Sequence, residues 1–391
     1  MPATSSAALA VSGGTPVSAK PVPFMSLALT EGDVDAALAV LKSGMLRQAA
    51  KCAELELRFG EMSHAAHALT CANGTCALQL AYGALLEPGD DVLVPAWTYI
   101  ATVSMVVAAG CRPIFVDADP ETFQICPKDL ARKVTPRTTA IAATHLYGMP
   151  VDIAGVQNVA KKHGLKVIYD AAQAHLATYS GKGIGAFGDA VTYSFYATKN
   201  LSTGEGGLVT TNDPSVAKKM GLLRSHGETE KYLHEMVGFN YRMNDITAAL
   251  GCSRLSRLAD QTAARQRNAE RYDAMLARIP GLVAPGRTEG ADAVWHLYTV
   301  RMDPSQFRVT RDEFCKALNA EGVPTAVHYP RPLTRQPAFD RFSGAAVREG
   351  VPVAESLSAK VFCLPMHHDL SDDHFRIVEE ALEKVAGAYR A

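Results

Sequence analysis

Between about residue 65 and residue 211, short apolar runs alternate with amphipathic helical stretches, and this alternation constrains the fold more than any other feature. The runs are Asp91–Pro95, Pro113–Asp117, Ala140–Leu146, Lys166–Asp170, Ala190–Phe195 and Gly207–Thr211. Apolar strands separated by helices, such as Ile153–His163, are typical of a mostly parallel sheet with helices on both faces. Ligands of such sheets bind beyond the carboxyl ends of the strands, so the residues that follow each run are candidates for chemistry.

A change of pattern after Arg242 predicts a second domain. Met243–Ile279 resembles two long helices, and a mixed region of strands and helices follows. In that region we predict the elements Leu297–Met302, Arg311–Glu321, Gly322–His328 and Asp372–Ala388. Because 391 residues exceed one ordinary core, we predict three parts: a flexible tail (1–24), an α/β large domain (25–258) and a smaller α+β C-terminal domain (259–391).

Composition excludes several classes of protein. The 39 basic and 40 acidic residues nearly cancel, so nothing favours binding to nucleic acid or an anionic membrane. No apolar run approaches the ~18 residues of a membrane span, and the N-terminus lacks the basic start of a secretion signal. The eight cysteines form no CxxC pair, which indicates a reducing compartment, and we expect a cytoplasmic protein without a metal site.

Two charged residues follow strands of the predicted sheet. Asp170 ends one apolar run, where it either caps a following helix or faces a buried cation such as a protonated pyridine nitrogen. Lys199 follows Ala190–Phe195 and precedes the small-residue turn Ser202–Gly207. It is either a solvated loop residue or an amine that forms an imine, because a partly desolvated lysine loses its proton readily.

The segment Asn73–Thr75 precedes a predicted helix over Cys76–Leu85. A helix N-terminus offers free N–H groups and the positive end of a dipole, which suit a phosphate. Gly74 allows close approach, Thr75 can add a hydroxyl, and Ser194 can supply a second one. A plain N-cap is the alternative. The pattern GKGIGA (181–186) imitates a dinucleotide fingerprint, but it precedes a strand and opens no helix, so it argues for a hairpin turn and against a nicotinamide-dependent dehydrogenase.

These features occur together in stretches that resemble the DegT/DnrJ/EryC1/StrS aminotransferases, a branch of the fold-type-I pyridoxal-phosphate enzymes. The matching stretches, in family order and spacing, are ANGTCALQLA (72–81), PGDDVLVPAWTYIAT (88–102), FVDADPETF (115–123), TPRTTAIAATHLYGMP (135–150), YDAAQAH (169–175), GAFGDAVTYSFYATKNLSTGEGGLVTTND (185–213), GFNYRMNDITAA (238–249) and HYPRPL (328–333). The resemblance spans about residues 25–385. A departure from the family pattern, RQAA at 47–50, predicts a rearranged loop there.

The resemblance implies a role for each matching residue. Lys199 corresponds to the Schiff-base lysine and Asp170 to the partner of the pyridine nitrogen. The remaining correspondences are Gln173 near the phenolic oxygen, Tyr99 (rather than Trp97) stacked on the ring, Gly74, Thr75 and Ser194 at the phosphate, Asn240 reaching the phosphate of the neighbouring subunit, and Arg242 and His328 lining the substrate cleft. Structural polar positions at the domain interface are the alternative for the last two. The role of Asn240 implies a homodimer with shared active sites.

The resemblance also implies a reaction, namely ping-pong transfer of an amino group from L-glutamate to a nucleotide-linked keto sugar. The segment GFNYR (238–242) replaces the GVNSR of many relatives that aminate C3, which favours a 4-keto-6-deoxyhexose. A ketocyclitol is an alternative acceptor. A non-catalytic scaffold or regulator that binds the cofactor is the alternative from another class, while Lys199 argues against the sugar dehydratases that carry histidine there.

Overall fold

A seven-stranded sheet forms the centre of the larger part of the molecule; the computed structural model describes residues 8–342 and 350–391. Its strands are β1 (His67–Cys71), β2 (Asp91–Pro95), β3 (Arg112–Val116), β4 (Thr138–Thr144), β5 (Lys166–Asp170), β8 (Ala190–Ser194) and β9 (Gly207–Thr211). They lie in the order β1-β9-β8-β5-β4-β2-β3, and β9 alone of these seven runs in the direction opposite to the other six. The predicted mostly parallel sheet is therefore confirmed, and β1 is an additional strand.

Helices cover both faces of this sheet. They are α2 (Ala50–Ser63), α3 (Gly74–Leu85), α4 (Ala101–Ala108), α5 (Pro127–Lys133), α6 (Ile153–His163), α7 (Pro214–Arg224) and α8 (Asp245–Leu255). A further helix, α1 (Glu31–Ser43), packs against α8 and not against the sheet. Apolar residues of α3, α4 and α7 fill the core on one face, and those of α2, α5, α6 and α8 fill the core on the other. Within the described ranges, no helix is long and apolar enough to span a membrane.

Short antiparallel pairs complete the larger part of the molecule. They are β6 (Thr178–Tyr179) with β7 (Lys182–Gly183) and β13 (Ala291–Asp292), and β10 (Glu228–Glu230) with β11 (Leu233–His234). The turn between β6 and β7 holds Ser180 and Gly181, both at positive φ. The dinucleotide-like pattern therefore begins in a hairpin, as we predicted.

The C-terminal part packs helices on a three-stranded sheet. Its elements are β12 (Leu282–Val283), β14 (Tyr298–Met302), β15 (Val361–Leu364), α9 (Leu258–Leu276), α10 (Arg311–Ala320), α11 (Pro352–Lys360) and α12 (Asp372–Tyr389). The predicted strand Gly322–His328 is wrong. That segment makes a single bridge, Ala326 to Cys363 at the edge of β15, because Pro324 lacks an N–H to donate to a longer ladder. The predicted boundary at residue 258 coincides with the start of α9.

The N-terminal segment packs against the C-terminal part, so the prediction of a flexible tail is wrong for residues 8–24; residues 1–7 lie outside the described residues. The Glu321 carboxylate is fully buried and accepts from Ala10 N at 2.8 Å and Val17 N at 3.0 Å. Lys384 Nζ lies 2.8 Å from the same carboxylate. Apolar side chains of the segment, including Val22, join the core of the C-terminal part. The composition of the segment does not reveal this packing, because Glu321, which holds the segment, lies some 300 residues away in sequence.

Candidate active site

The carboxyl ends of the central strands bring the candidate residues to one edge of the sheet. Asp170 ends β5 and Ser194 ends β8, and these two strands are parallel neighbours. Lys199 follows β8 in a turn that is closed by a hydrogen bond from Lys199 N to Tyr196 O at 2.9 Å. The next residue, Asn200, is buried and donates to Val294 O at 2.8 Å. Lys199 therefore lies on a turn that is held by hydrogen bonds and not on a free surface loop.

Lys199 has the properties of a reactive amine. Its side chain is partly buried, and this burial lowers its pKa from 10.5 to about 8, although the nearby Asp170 carboxylate acts in the opposite direction. The charge of Lys199 acts to lower the pKa of three histidines: His175, His296 and His328. Burial lowers the pKa of each, to about 3 for His175, so they are neutral near pH 7 and add no positive charge to the site.

Asp170 is a buried carboxylate, 5% exposed, and pairs with no cation at ion-pair distance among the described residues. Its Oδ2 accepts from the Thr102 hydroxyl at 2.6 Å, and its Oδ1 accepts from Ala172 N at 3.0 Å. Burial raises the pKa of Asp170, while Thr102, Ala172 and the charge of Lys199 act to lower it. No helix follows Asp170, so the interpretation as a helix cap fails.

The N-terminus of α3 meets the end of β8 at close range. Asn73 caps the helix, since its Oδ1 accepts from Cys76 N at 2.9 Å. The N–H groups of Gly74 and Thr75 belong to the first turn, where the helix itself supplies no acceptor. A Cβ on Gly74 would lie 2.6 Å from Ser194 Cβ, so only glycine allows this approach. The arrangement brings the first turn of α3 against the Ser194 side chain, and amides of a helix N-terminus beside a hydroxyl suit a phosphate.

Gln173 joins the site to a segment of the C-terminal part. Its Oε1 accepts from Tyr147 N at 2.6 Å, and its Nε2 donates to the Tyr329 hydroxyl at 3.3 Å. The Tyr147 hydroxyl donates to the carbonyl of His328. His328 is partly buried, with Nδ1 3.6 Å from Cys363 Sγ. His328 and Tyr329 are therefore held next to the sheet edge that carries Lys199.

Tyr99 and Trp97 differ sharply in exposure. Tyr99 is 59% exposed, and its ring centroid lies 6.4 Å from that of Tyr329. Trp97 is 2% exposed, and its Nε1 donates to the Tyr147 hydroxyl at 3.0 Å. A ring held inside the core offers no face to a ligand, which favours Tyr99 for stacking.

Asn240 and Arg242 are exposed in this protomer. Asn240 pairs with Ser225 in an isolated bridge, and the next residue, Tyr241, accepts through its carbonyl from Ala72 N at 2.8 Å. The two residues thus lie on a backbone segment that runs beside the start of α3, but their side chains face solvent.

Sequence reasoning missed the threonines around Asp170 and the pair Asn200–His296. Thr144 ends β4 and Thr98 follows β2. Both lie near the carboxyl ends of strands, where ligands of such sheets bind, so the sequence could have identified them. Thr102 lies inside α4, where nothing in the sequence marks it. His296 Nδ1 lies 3.3 Å from Asn200 Oδ1, and a contact across 96 residues leaves no local signal.

The site fits pyridoxal phosphate by its own chemistry. The amides of the first turn of α3 and Ser194 suit the phosphate, the unpaired buried carboxylate of Asp170 suits a protonated ring nitrogen, and Lys199 offers an amine of lowered pKa.

Comparison with known proteins gives a family match and named relatives. The profile of the DegT/DnrJ/EryC1/StrS aminotransferase family matches residues 28–383. A GDP-perosamine synthase of Caulobacter vibrioides is 39% identical over 85% of this chain and 89% of the relative. A dTDP-3-amino-3,4,6-trideoxy-alpha-D-glucose transaminase of Streptomyces venezuelae is 38% identical over 88% and 91%. A pleiotropic regulatory protein of Geobacillus stearothermophilus is 38% identical over 86% and 89%.

The solved structures agree with this match. The crystal structure of S. venezuelae DesV in complex with a ketimine intermediate superimposes with a TM-score of 0.89 at 36% identity. The superposition covers 94% of this chain and 99% of the other. The likeness therefore extends over both parts of the molecule.

Proposed function

Because the chain belongs to the DegT/DnrJ/EryC1/StrS family of pyridoxal-phosphate-dependent aminotransferases, we propose that it acts on nucleotide-linked keto sugars, as the names of its relatives indicate for those proteins. From this premise we propose that it transfers the amino group of L-glutamate to a 4-keto-6-deoxyhexose carried on a nucleotide, by a ping-pong mechanism. The observation that supports transamination chemistry is the placement of Lys199, Asp170 and the Gly74–Ser194 contact at one sheet edge. The choice of acceptor is supported by the segment GFNYR (238–242) and the names of the relatives.

Each residue of the site has a part in holding the cofactor. We assign the phosphate to Gly74, Thr75 and Ser194, the ring nitrogen to Asp170, and the neighbourhood of the phenolic oxygen to Gln173. Tyr99 covers the ring, and Asn240 of a second subunit completes the phosphate site. When bound, pyridoxal phosphate supplies an aldehyde that takes up amino groups and a protonated ring that withdraws electrons.

Lys199 then serves as anchor and proton carrier. With a pKa of about 8, a useful fraction of its amine is unprotonated near neutral pH. In the first half-reaction its Nζ would take the proton from the α-carbon of L-glutamate and deliver it to C4′ of the cofactor, as base and then acid. In the second half-reaction it would move a proton in reverse, from C4′ to the acceptor carbon that receives the amine. Arg242 and His328 orient the acceptor, and the neutral state of His328 leaves its ring able to accept a hydrogen bond.

A homodimer with shared sites completes this proposal. Seven large apolar side chains between residues 27 and 46 are at least 40% exposed: Leu27, Leu29, Val34, Leu38, Leu41, Met45 and Leu46. Exposed apolar patches of this kind mark contact surfaces. They support burial of α1 and the segments around it against a second copy.

Two measurements test the proposed reaction. Lys199→Ala should lose turnover while remaining folded; unchanged activity would reject the assignment of Lys199. Mass spectrometry of products from a panel of nucleotide keto sugars with L-glutamate identifies the acceptor and the aminated carbon. Amination at C3, or of a ketocyclitol only, would replace the proposed acceptor.

A half-reaction separates catalysis from a purely regulatory role, which the name of the Geobacillus relative suggests for that protein. L-glutamate alone should bleach the yellow colour of the cofactor-loaded protein and release 2-oxoglutarate in equal amount. A protein that only bound the cofactor would keep its colour.

A further inference from the structure

Three threonine hydroxyls form a connected group beside Asp170, and one of them, Thr102, contacts its carboxylate. Thr102 lies in α4, Thr144 ends β4 and Thr98 follows β2, so three separate segments deliver them. Each of the three residues is at most 5% exposed, as is Asp170. Buried hydroxyls need partners, and here they find them in each other and in the carboxylate.

The distances define a chain of hydrogen bonds. Thr98 Oγ1 lies 3.0 Å from Thr144 Oγ1, Thr144 Oγ1 lies 3.3 Å from Thr102 Oγ1, and Thr102 Oγ1 lies 2.6 Å from Asp170 Oδ2. A hydroxyl has one proton to donate. When Asp170 is ionised, Thr102 must donate its one proton to the carboxylate and can only accept from the other two threonines. Thr98 Oγ1 lies 3.5 Å from Thr102 Oγ1 but 3.0 Å from Thr144 Oγ1, so Thr98 donates to Thr144, and Thr144 donates to Thr102. All three protons then point toward the carboxylate.

The backbone of Thr102 is fixed as well. The Tyr82 hydroxyl, fully buried in α3, donates to Thr102 O at 2.9 Å. Ala172 N holds the other carboxylate oxygen, Oδ1, at 3.0 Å. Each oxygen of the ionised carboxylate therefore accepts a hydrogen bond, Oδ2 from Thr102 and Oδ1 from Ala172 N.

We propose that Thr102, oriented by Thr144 and Thr98, is a positioning residue that keeps Asp170 ionised and aimed at the ring nitrogen of pyridoxal phosphate. The inference rests on the proposed role of Asp170. Donated hydrogen bonds stabilise the charged form of a carboxylate, and a chain of aligned hydroxyls strengthens the last bond by polarisation. With the carboxylate ionised, the proton that the pair shares resides on the ring nitrogen.

The test is the ¹⁵N NMR resonance of cofactor labelled at the ring nitrogen, together with the dissociation constant of the cofactor. Thr102→Val keeps the shape and removes the hydroxyl. We expect its resonance to move from the pyridinium position toward that of neutral pyridine, with cofactor binding and kcat each reduced about ten-fold or more and the KM for L-glutamate little changed. Thr102→Ser should restore the resonance. If Thr102→Val does not fold, Thr144→Val serves, with a smaller shift in the same direction.

Thr192→Val is the matched control. Thr192 is buried beside Asp170 on β8, but its hydroxyl lies 3.4 Å from the carbonyl of Tyr169 and not on the carboxylate. Its variant should keep the wild-type resonance. An unchanged resonance in Thr102→Val, or equal shifts in Thr102→Val and Thr192→Val, would overturn the inference. Asp170→Asn tests the proposed role of Asp170 separately from the inference about Thr102. An unchanged resonance in Asp170→Asn would overturn the role of Asp170 and, with it, the inference about Thr102.

Discussion

At the scale of single residues, the proposed site contains one lysine whose pKa the fold lowers. Partial burial lowers the pKa of Lys199, and Asp170 opposes that shift. Both residues could be located from the sequence, because Asp170 ends a buried strand and Lys199 follows one. The sequence could not have located Thr102 or His296, whose partners are brought near only by the packing of α4 and of the segment before β14.

The lowered pKa predicts how Lys199 reacts in the cofactor-free protein. Only the unprotonated amine attacks a small acylating reagent, so the labelling rate should rise through a midpoint near pH 8, and not near the usual 10.5. Asp170→Asn removes the charge that favours protonation, so the midpoint should fall further. Peptide-resolved mass spectrometry measures both. Labelling in denaturant is the control, and a folded-state midpoint that matched it would contradict the prediction.

At the scale of elements, the sequence predicted those with strong periodicity. The bounds of β2, β5, β9 and α6 agree with the predicted ones, because fully buried strands and a capped amphipathic helix leave local signals. The strand β1 was missed, since its partly polar sequence HALTC is decided by pairing with β9 across 140 residues. The predicted strand 322–328 failed because Pro324 limits the segment to one bridge with Cys363, although its apolar residues suit a strand.

The contact between α3 and β8 makes a prediction about Gly74. An added methyl group would lie 2.6 Å from Ser194 Cβ, so Gly74→Ala must push the two elements apart. We expect a loss of about 1–3 kcal/mol of folding stability and weaker cofactor binding. Calorimetry and cofactor titration measure the two effects.

Gly387→Ala is the matched control, because a Cβ there meets nothing within 4 Å and the residue lies exposed in α12. It should gain about 0.5–1 kcal/mol of stability and leave cofactor binding alone. Equal cofactor affinity in the two variants would argue against a phosphate site at Gly74.

At the scale of the whole molecule, the N-terminal segment ties into the C-terminal part through Glu321. The fold lowers the pKa of this carboxyl: burial acts to raise it, but Ala10 N, Lys384 and Val17 N outweigh burial. Its contribution to stability is therefore complete above pH 4.5, the unfolded value, and is lost as the pH falls through the lower folded-state pKa.

Glu321→Gln should therefore destabilise the protein by about 3 kcal/mol at neutral pH, because Lys384 is left without its buried partner. The difference in unfolding free energy between Glu321→Gln and wild type should become smaller as the pH falls below 4.5. Urea unfolding at several pH values measures it. Glu383→Gln, an exposed position on the same helix as Lys384, is the control and should change little. A loss that did not depend on pH would speak against the ion pair.

The largest-scale prediction concerns two chains at once. If Asn240 completes the phosphate site of the other subunit, Lys199→Ala and Asn240→Asp are defects of different sites. Each variant alone should be nearly inactive, because the added carboxylate repels the phosphate. In a mixed dimer one site receives both defects and the other receives neither, so about half of the wild-type activity per dimer should return. Differently tagged chains, co-expressed and purified through both tags, allow the measurement. If Asn240 served its own subunit, both sites of the mixed dimer would stay defective, and activity would not return however well the chains paired.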